Sequence, residues 1–212
     1  MNILDLRIKR AITNEILYPI QHGDFKSAIT SLPSILDKLY TNIPDKRRSS
    51  FGRVFTIKVL SEYLYRQFID AELPVYDIAL RIVELSVEVR SKGVGLGILS
   101  RYGLVDYQRV LSHFEFMAAG EDWELREFAQ MFFRKLTQKY PKEVKPFLRE
   151  LAKSDNPNLR RFVAETLRPV QENQWLYTNP DYSLSILKYL FQEPKAYPRY
   201  SVGNNLSDLA RR

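Results

Sequence analysis

The chain has 212 residues, of which 45% are hydrophobic, 27% charged and 13% aromatic, and its 32 Lys and Arg against 25 Asp and Glu give a net charge of +7. This composition excludes an intrinsically disordered chain, because the apolar and aromatic content is large enough to form a core. The absence of cysteine excludes disulfides, thiolate metal sites and cysteine nucleophiles, and the presence of only two histidines, His22 and His113, excludes a multi-histidine metal centre.

These limits define the class of protein to expect. The length predicts one domain over residues 1–212, and the lack of cysteine is typical of a reducing cytoplasm. No stretch reaches the roughly 18 apolar residues of a membrane span, and the charged N-terminus lacks the apolar segment of a secretory signal. The basic excess is spread over both halves of the chain and is compatible with a polyanionic partner. We expect a cytoplasmic monomer without membrane contact, metal or cofactor.

Apolar residues recur with helical spacing through most of the chain. At least two helices are predicted before residue 40, and further helices are predicted over 51–69, 75–90, 104–119, 123–136, 142–153, 158–168, 182–191 and 198–211. Prolines fall mainly between these segments, where a helix can begin without losing a needed backbone N–H. No alternating run of β-branched residues indicates a strand. The sequence therefore predicts an all-α fold.

A glycine-rich segment, Gly93 to Gly97, follows the predicted helix over 75–90. No strand precedes it, and no Lys-Ser/Thr pair follows in the spacing of a phosphate-binding loop. We therefore interpret it as a flexible link between helices.

Three segments align without gaps and indicate an internal repeat: residues 125–133, 159–167 and 198–206. Each contains an Arg, a small or β-branched residue three positions later and a large apolar residue seven positions later. The separations of 34 and 39 residues are close to the period of HEAT-type helix pairs. We predict helices over residues 1–45 followed by stacked helix pairs over about 46–212, with the chain trimmed at Arg212 or continuing beyond it. The alternative is a chance similarity among amphipathic helices that begin with Arg.

The same segments carry a family resemblance. Residues 156–169 (NPNLRRFVAETLRP) and 197–211 (YPRYSVGNNLSDLAR) resemble the C-terminal half of the HEAT-like DNA alkylation-repair superfamily, the AlkC/AlkD group of bacterial proteins. AlkC-like members have an Arg-Arg helix, an Arg-Pro pair and a Ser-Val-Ala-Asn-Asn-Leu-Asn-Asp helix, which here reads Ser201 to Asp208. The resemblance covers about residues 50–212. It implies a curved α-solenoid with a concave basic face for DNA and, in active members, removal of cationic N3- or N7-alkylpurines.

The resemblance also implies individual site residues. In AlkD-like enzymes a Trp precedes the catalytic Asp by four positions, and Trp123 and Glu127 stand at that spacing here, with Glu in place of Asp. The AlkD arginine that contacts phosphate corresponds to Arg161. A second active-site Trp of AlkD corresponds to Asn204, so the aromatic cradle differs from that of AlkD at this position.

On this basis Glu127 is predicted to stabilise the developing sugar cation and Trp123 to contact the lesion, with Glu165 and Asp208 as alternative carboxylates. The predicted DNA-binding residues are the basic and amide side chains on or beside the repeat helices: Arg126, Arg160, Arg161, Arg168, Lys195, Arg199 and Asn204. For each of the repeated arginines, the alternative is a structural ion pair that aligns neighbouring helices. For Trp123 and Glu127, it is a core aromatic and a solvated carboxylate.

The predicted function is therefore that of a DNA-binding protein of alkylation repair, acting on duplex or damaged DNA. Its candidate activity is a monofunctional glycosylase reaction that hydrolyses the N-glycosidic bond. Superfamily members such as AlkF and AlkG resemble non-catalytic binders of branched DNA, which gives the first alternative. A HEAT scaffold that binds a protein partner gives the second.

Overall fold

The computed structural model describes residues 3–211, apart from the side chains of Ser50 and Phe51. Every regular element in this range is helical, which confirms the all-α prediction. The α-helices are α1 (Leu6–Ile12), α2 (Tyr18–Gln21), α3 (Phe25–Thr41), α4 (Ser50–Asp70), α5 (Val75–Leu85), α6 (Val89–Tyr102), α7 (Gln108–Ala119), α8 (Trp123–Lys139), α9 (Pro141–Ala152), α10 (Pro157–Thr166), α11 (Trp175–Thr178), α12 (Pro180–Leu187) and α13 (Ala196–Ala210). A π-helical turn, Thr13–Leu17, joins α1 to α2, and 3-10 helices span Asp45–Arg47, Gln171–Asn173 and Lys188–Leu190. The expectations about the chain end at Arg212 lie outside the described residues.

The chain divides into two compact units, an N-terminal unit that ends at Tyr102 and a C-terminal unit that begins at Gly103. In the N-terminal unit, α6 packs on both α4 and α5, and α3 contacts α1 and α4. The fully buried side chains of its core include Ile12, Ile35, Leu36, Leu39, Leu60, Leu64 and Phe68. Within residues 3–211, no helix combines the length and apolarity that a bilayer crossing demands.

The glycine-rich segment is not a link, and that prediction is wrong. Residues 93–97 lie inside α6 and are buried, while the preceding helix α5 already ends at Leu85. A Cβ atom on Gly95 would lie 2.6 Å from Val83 Cγ2 and 2.9 Å from the Ala79 carbonyl oxygen, so glycine allows α6 to pack closely on α5. On the α4 side, the Ser61 hydroxyl donates a hydrogen bond to the Val94 carbonyl oxygen at 3.1 Å.

The core of the C-terminal unit is built around Phe133 on α8. Its ring lies 5.4 Å from Phe114 on α7 and 5.3 Å from Phe162 on α10, both in edge-to-face arrangements, and 5.6 Å from Phe147 on α9. Edge-to-face pairs add to the stabilisation that burial of each ring already provides. One aromatic cluster therefore connects four helices of this unit.

Helices α8, α10 and α13 form a layer in which α10 packs on both of the others. In the contacts that join these helices, residue numbers rise together on both partners: Glu127 with Arg161, Arg134 with Glu165, Ala164 with Asn205, and Arg168, two residues after α10, with Asp208. The three helices are therefore parallel, and their N-terminal ends lie on the same side of the unit. Helix α9 packs on α8, α10 and α12.

The packing of α6 gives a stability prediction with a matched control. Gly95→Ala is expected to lower the free energy of unfolding by about 1–3 kcal/mol, because the added methyl group overpacks the contact with α5. Gly203→Ala is the same change at a helix position where a Cβ atom meets nothing within 4 Å, so it should raise stability by about 0.5–1 kcal/mol. Urea unfolding followed by circular dichroism measures both. Equal stabilisation by the two substitutions would contradict this packing.

Candidate nucleic-acid interface

The three aligned arginines occupy the same position in three helices. Arg126, Arg160 and Arg199 are the fourth residues of α8, α10 and α13. Each Nη1 donates to backbone carbonyls five or six residues earlier, Arg126 to Gly120 and Glu121, Arg160 to Ser154 and Asp155, and Arg199 to Pro194, at 2.7–3.2 Å. Such charge-assisted bonds satisfy loop carbonyls that regular structure leaves unpaired. The repetition of Arg therefore has an intramolecular reason.

Arg160 is the most completely engaged of the three. Its Nε and Nη2 donate to the two carboxylate oxygens of Glu193 at 2.6 and 2.8 Å, and only 13% of its side chain and 2% of that of Glu193 are exposed. This hydrogen bond raises the pKa of Arg160 and lowers the pKa of Glu193. All three guanidinium nitrogens thus have partners within the protein. Arg160 therefore fits the alternative interpretation, that of a structural ion pair.

Arg161, the next residue of α10, pairs with the predicted catalytic residue Glu127. Its Nη1 lies 2.7 Å from Glu127 Oε1 and also donates to Gln130 Oε1 at 3.3 Å, while Gln130 Nε2 donates to Glu127. The guanidinium stacks on the Tyr197 ring, 4.6 Å from its centroid. Arg161 therefore links α8, α10 and α13.

Trp123 and Glu127 share one surface of α8, as their spacing of four residues requires. Trp123 is the first residue of the helix and is 63% exposed, so it lies outside the core. Glu127 lies one turn later and is about one-third exposed, but its carboxylate is held by Arg161 and Gln130. The ring is free to contact a ligand, whereas the charge of the carboxylate is already offset.

Arg168 connects the far ends of α10 and α13. Its Nη2 lies 2.7 Å from Asp208 Oδ2, and its Nη1 lies 3.3 Å from Glu165 Oε2. Burial lowers the pKa of Arg168, but the hydrogen bond to Asp208 and the charge of Glu165 outweigh it, so the net pKa is raised. Glu165 and Asp208, the alternative candidates for the catalytic carboxylate, are therefore both in ion pairs.

Lys195, Arg199 and Asn204 are the exposed members of the predicted DNA-binding set. Lys195 is the residue before α13. Its backbone N–H donates to Glu193, and its side chain, with the ammonium group, is exposed. Arg199 Nη1 donates a hydrogen bond to the Pro194 carbonyl oxygen at 3.2 Å. The exposed cations of this set are thus at the start of α13.

Sequence reasoning missed Tyr197 as a site residue. Its hydroxyl accepts a hydrogen bond from Arg126 Nη2 at 3.2 Å, and its ring lies 5.5 Å from the Arg126 guanidinium as well as against Arg161. The signal in the sequence is the alternation of aromatic and basic residues from Lys195 to Tyr200. Aromatic and basic side chains together are typical of nucleic-acid surfaces.

No family model, curated protein or solved structure matches the chain. The resemblance to the alkylation-repair superfamily therefore stays a prediction.

The buried ion pair of α10 gives a pH-dependent prediction. Glu193→Gln should lower the free energy of unfolding by about 2–4 kcal/mol at pH 7, because it leaves the Arg160 charge buried without a counter-charge. Since the folded-state pKa of Glu193 is lowered, its contribution is present above the unfolded-state pKa of about 4.3 and is lost as the pH falls through the folded-state value.

Urea titrations of wild type and Glu193→Gln at several pH values measure the difference in free energy of unfolding, which should become smaller as the pH falls. Glu150→Gln is the control, because Glu150 and its partner Lys153 are largely exposed and the loss should be under about 0.5 kcal/mol. A Glu193→Gln variant as stable as wild type at pH 7 would show that the pair does not hold α10.

Proposed function

We propose that this chain is a DNA-binding protein of the alkylation-repair type, which contacts duplex or damaged DNA through the exposed surface of α8, α10 and α13. One observation carries the proposal: three parallel helices present their N-terminal ends on one side, together with the exposed ring of Trp123 and the cations Lys195 and Arg199. A helix N-terminus carries partial positive charge and favours anions, and that of α13 has no side-chain cap. The cysteine-free composition favours the cytoplasm as the compartment.

The helix register supports a HEAT-like α-solenoid as the fold within this proposal. The contact of Glu127 with Arg161 spans 34 residues, which equals the spacing of the first two aligned segments. Ala129, Val163 and Val202, three positions after the aligned arginines, are all buried. The proposed C-terminal helix pairs are α7 with α8, α9 with α10, and α12 with α13.

The proposed phosphate contacts are fewer than the sequence predicts. Lys195 and Arg199 are exposed, whereas Arg160 and Arg168 hold neighbouring elements together through ion pairs. Arg126 holds its own loop and Tyr197. Phosphate binding is therefore assigned to the start of α13, with Asn204 as an amide donor one turn further along.

Excision of a cationic alkylpurine is the catalytic form of this proposal. Glu127 would stabilise positive charge on the sugar, and Trp123 would supply cation–π contact with the lesion. The Arg161–Glu127 pair opposes this role, because a carboxylate already paired with a guanidinium stabilises a second cation less effectively. That pair makes a non-catalytic binder of branched DNA the second candidate function.

DNA affinity should depend on salt and on the two exposed cations. The slope of log affinity against log salt should become shallower by roughly 2 in the Lys195→Gln/Arg199→Gln variant, since each phosphate contact contributes about 0.9 to it. Fluorescence anisotropy with labelled DNA measures both affinity and slope. The Lys26→Gln/Lys142→Gln variant removes the same charge from exposed positions outside α8, α10 and α13 and should keep the wild-type slope.

Two results would contradict this assignment. Equal loss of affinity in the two double variants would mean that net charge alone is responsible. Binding of a protein partner that hardly responds to salt, with no retention of DNA, would favour the scaffold alternative.

Excision has a direct assay. If the chain is a glycosylase, wild-type protein should release N3- or N7-methylpurines from methylated DNA, and Glu127→Gln should reduce release at least about tenfold, as expected for loss of a charge-stabilising group. Chromatography of the released bases measures the rate, with Glu124→Gln as a control on the same helix. Binding of DNA without base release above background would exclude the catalytic form and leave the non-catalytic binder.

A further inference from the structure

Helix α13 contains a glycine that no packing contact explains. Gly203 lies in the interior of this 15-residue helix, is exposed, and has no atom within 4 Å of the position that a Cβ would occupy. Glycine in a helix interior is less stable than alanine because its backbone loses more freedom on folding. Gly95 in α6 has a close neighbour that requires glycine, but Gly203 has none within the described chain.

The residues around Gly203 form one exposed stripe, which we call the Gly203 face: Tyr200, Gly203, Asn204 and Ser207. Tyr200 lies one turn before the glycine and is 71% exposed, although a phenol ring of this size is usually at least partly covered. On the other side of the helix, Ser201, Val202 and Asn205 are buried, and Asn205 donates a hydrogen bond to the Ala164 carbonyl oxygen of α10. The Gly203 face is thus the side of α13 that points away from α10.

The charge beside this face is positive. Lys195 and Arg199 are exposed at the start of α13, and Arg211 is exposed at its end, where its Nη1 lies 3.8 Å from Asp208 Oδ1. The one acidic residue of the helix, Asp208, is paired with Arg168. Glu193, in the preceding loop, is buried against Arg160. A ligand of this face should therefore be an anion with a flat apolar part.

We propose that the Gly203 face binds an unpaired nucleotide of DNA. The base stacks on the exposed Tyr200 ring, and the sugar–phosphate chain passes over the bare backbone at Gly203, where any side chain would hold it away. Stacking on an aromatic ring accepts every base, because each base has a π-face. Lys195 and Arg199 pair with the flanking phosphates, and the Asn204 amide can both donate to and accept from a base edge. This inference rests on the proposed DNA binding and adds the class of DNA structure that is bound.

Fluorescence anisotropy with three labelled DNAs of equal length tests the inference: a full duplex, a duplex with a gap of several nucleotides, and a single strand. Wild-type protein should bind the gapped and single-stranded DNAs about tenfold more tightly than the duplex, as expected for one stacked base. Gly203→Leu should remove this preference by displacing the strand, and Tyr200→Ala should remove it by deleting the stacking surface. In both variants, affinity for the full duplex should fall much less than affinity for the gapped DNA.

Two controls separate loss of binding from loss of fold. Gly203→Leu places a better helix former at an open position, so its thermal unfolding midpoint should not fall below that of wild type. Thr30→Leu adds a leucine to an exposed position of α3 and should keep the preference for gapped DNA.

The outcomes are distinguishable. Gapped and full-duplex DNA bound equally well by wild type and by Gly203→Leu would overturn the inference while the proposed DNA binding stands. Absence of binding to all three DNAs would overturn both. A wild-type preference for gapped DNA that disappears only in Gly203→Leu and Tyr200→Ala would support the assignment.

Discussion

The packing of the C-terminal unit depends on one contact that is repeated in three helices. At the fourth residue of each helix, an arginine guanidinium donates hydrogen bonds to backbone carbonyls of the preceding loop. Arg126, Arg160 and Arg199 all make this contact. It fixes the direction in which each helix leaves its loop, because one side chain of the helix holds the backbone that precedes it. With the helix starts fixed in this way, α8, α10 and α13 can pack in parallel, and equivalent residues reach one common surface.

This role separates the residues that hold the fold from those that are left for a ligand. The side chains of Arg160, Arg161 and Arg168 are each paired with a carboxylate on another helix or loop. Exposed aromatic and basic side chains remain at Trp123, Tyr200 and Lys195. Arg199 belongs to both groups, since it is exposed although its Nη1 donates to the loop. The first group determines where α8, α10 and α13 lie, and the second determines what their surface can bind.

The helices of this chain could be predicted from the sequence because their apolar spacing is regular, and α4 and α8 begin within one residue of the expected position. Helix α6 could not, since glycine has low intrinsic helix propensity and the contact of Gly95 with Val83 that compensates for it is tertiary. The recurrence of Arg could also be recognised in the sequence, but the groups that these side chains contact could not be predicted. Glu193 lies 33 residues from Arg160, and neither residue alone indicates a buried pair. The role proposed for Gly203 could not be predicted, because the sequence does not show that the space around this residue is open.

We propose that DNA contacts the surface of α8, α10 and α13 through the start of α13. Lysine acetylation of the protein with and without saturating gapped DNA, read by mass spectrometry, tests it most directly. We expect Lys195 to become protected while Lys26 and Lys142, exposed outside these three helices, react as before. An unchanged rate at Lys195 in the saturated complex, with protection of Lys26 or Lys142 instead, would contradict it.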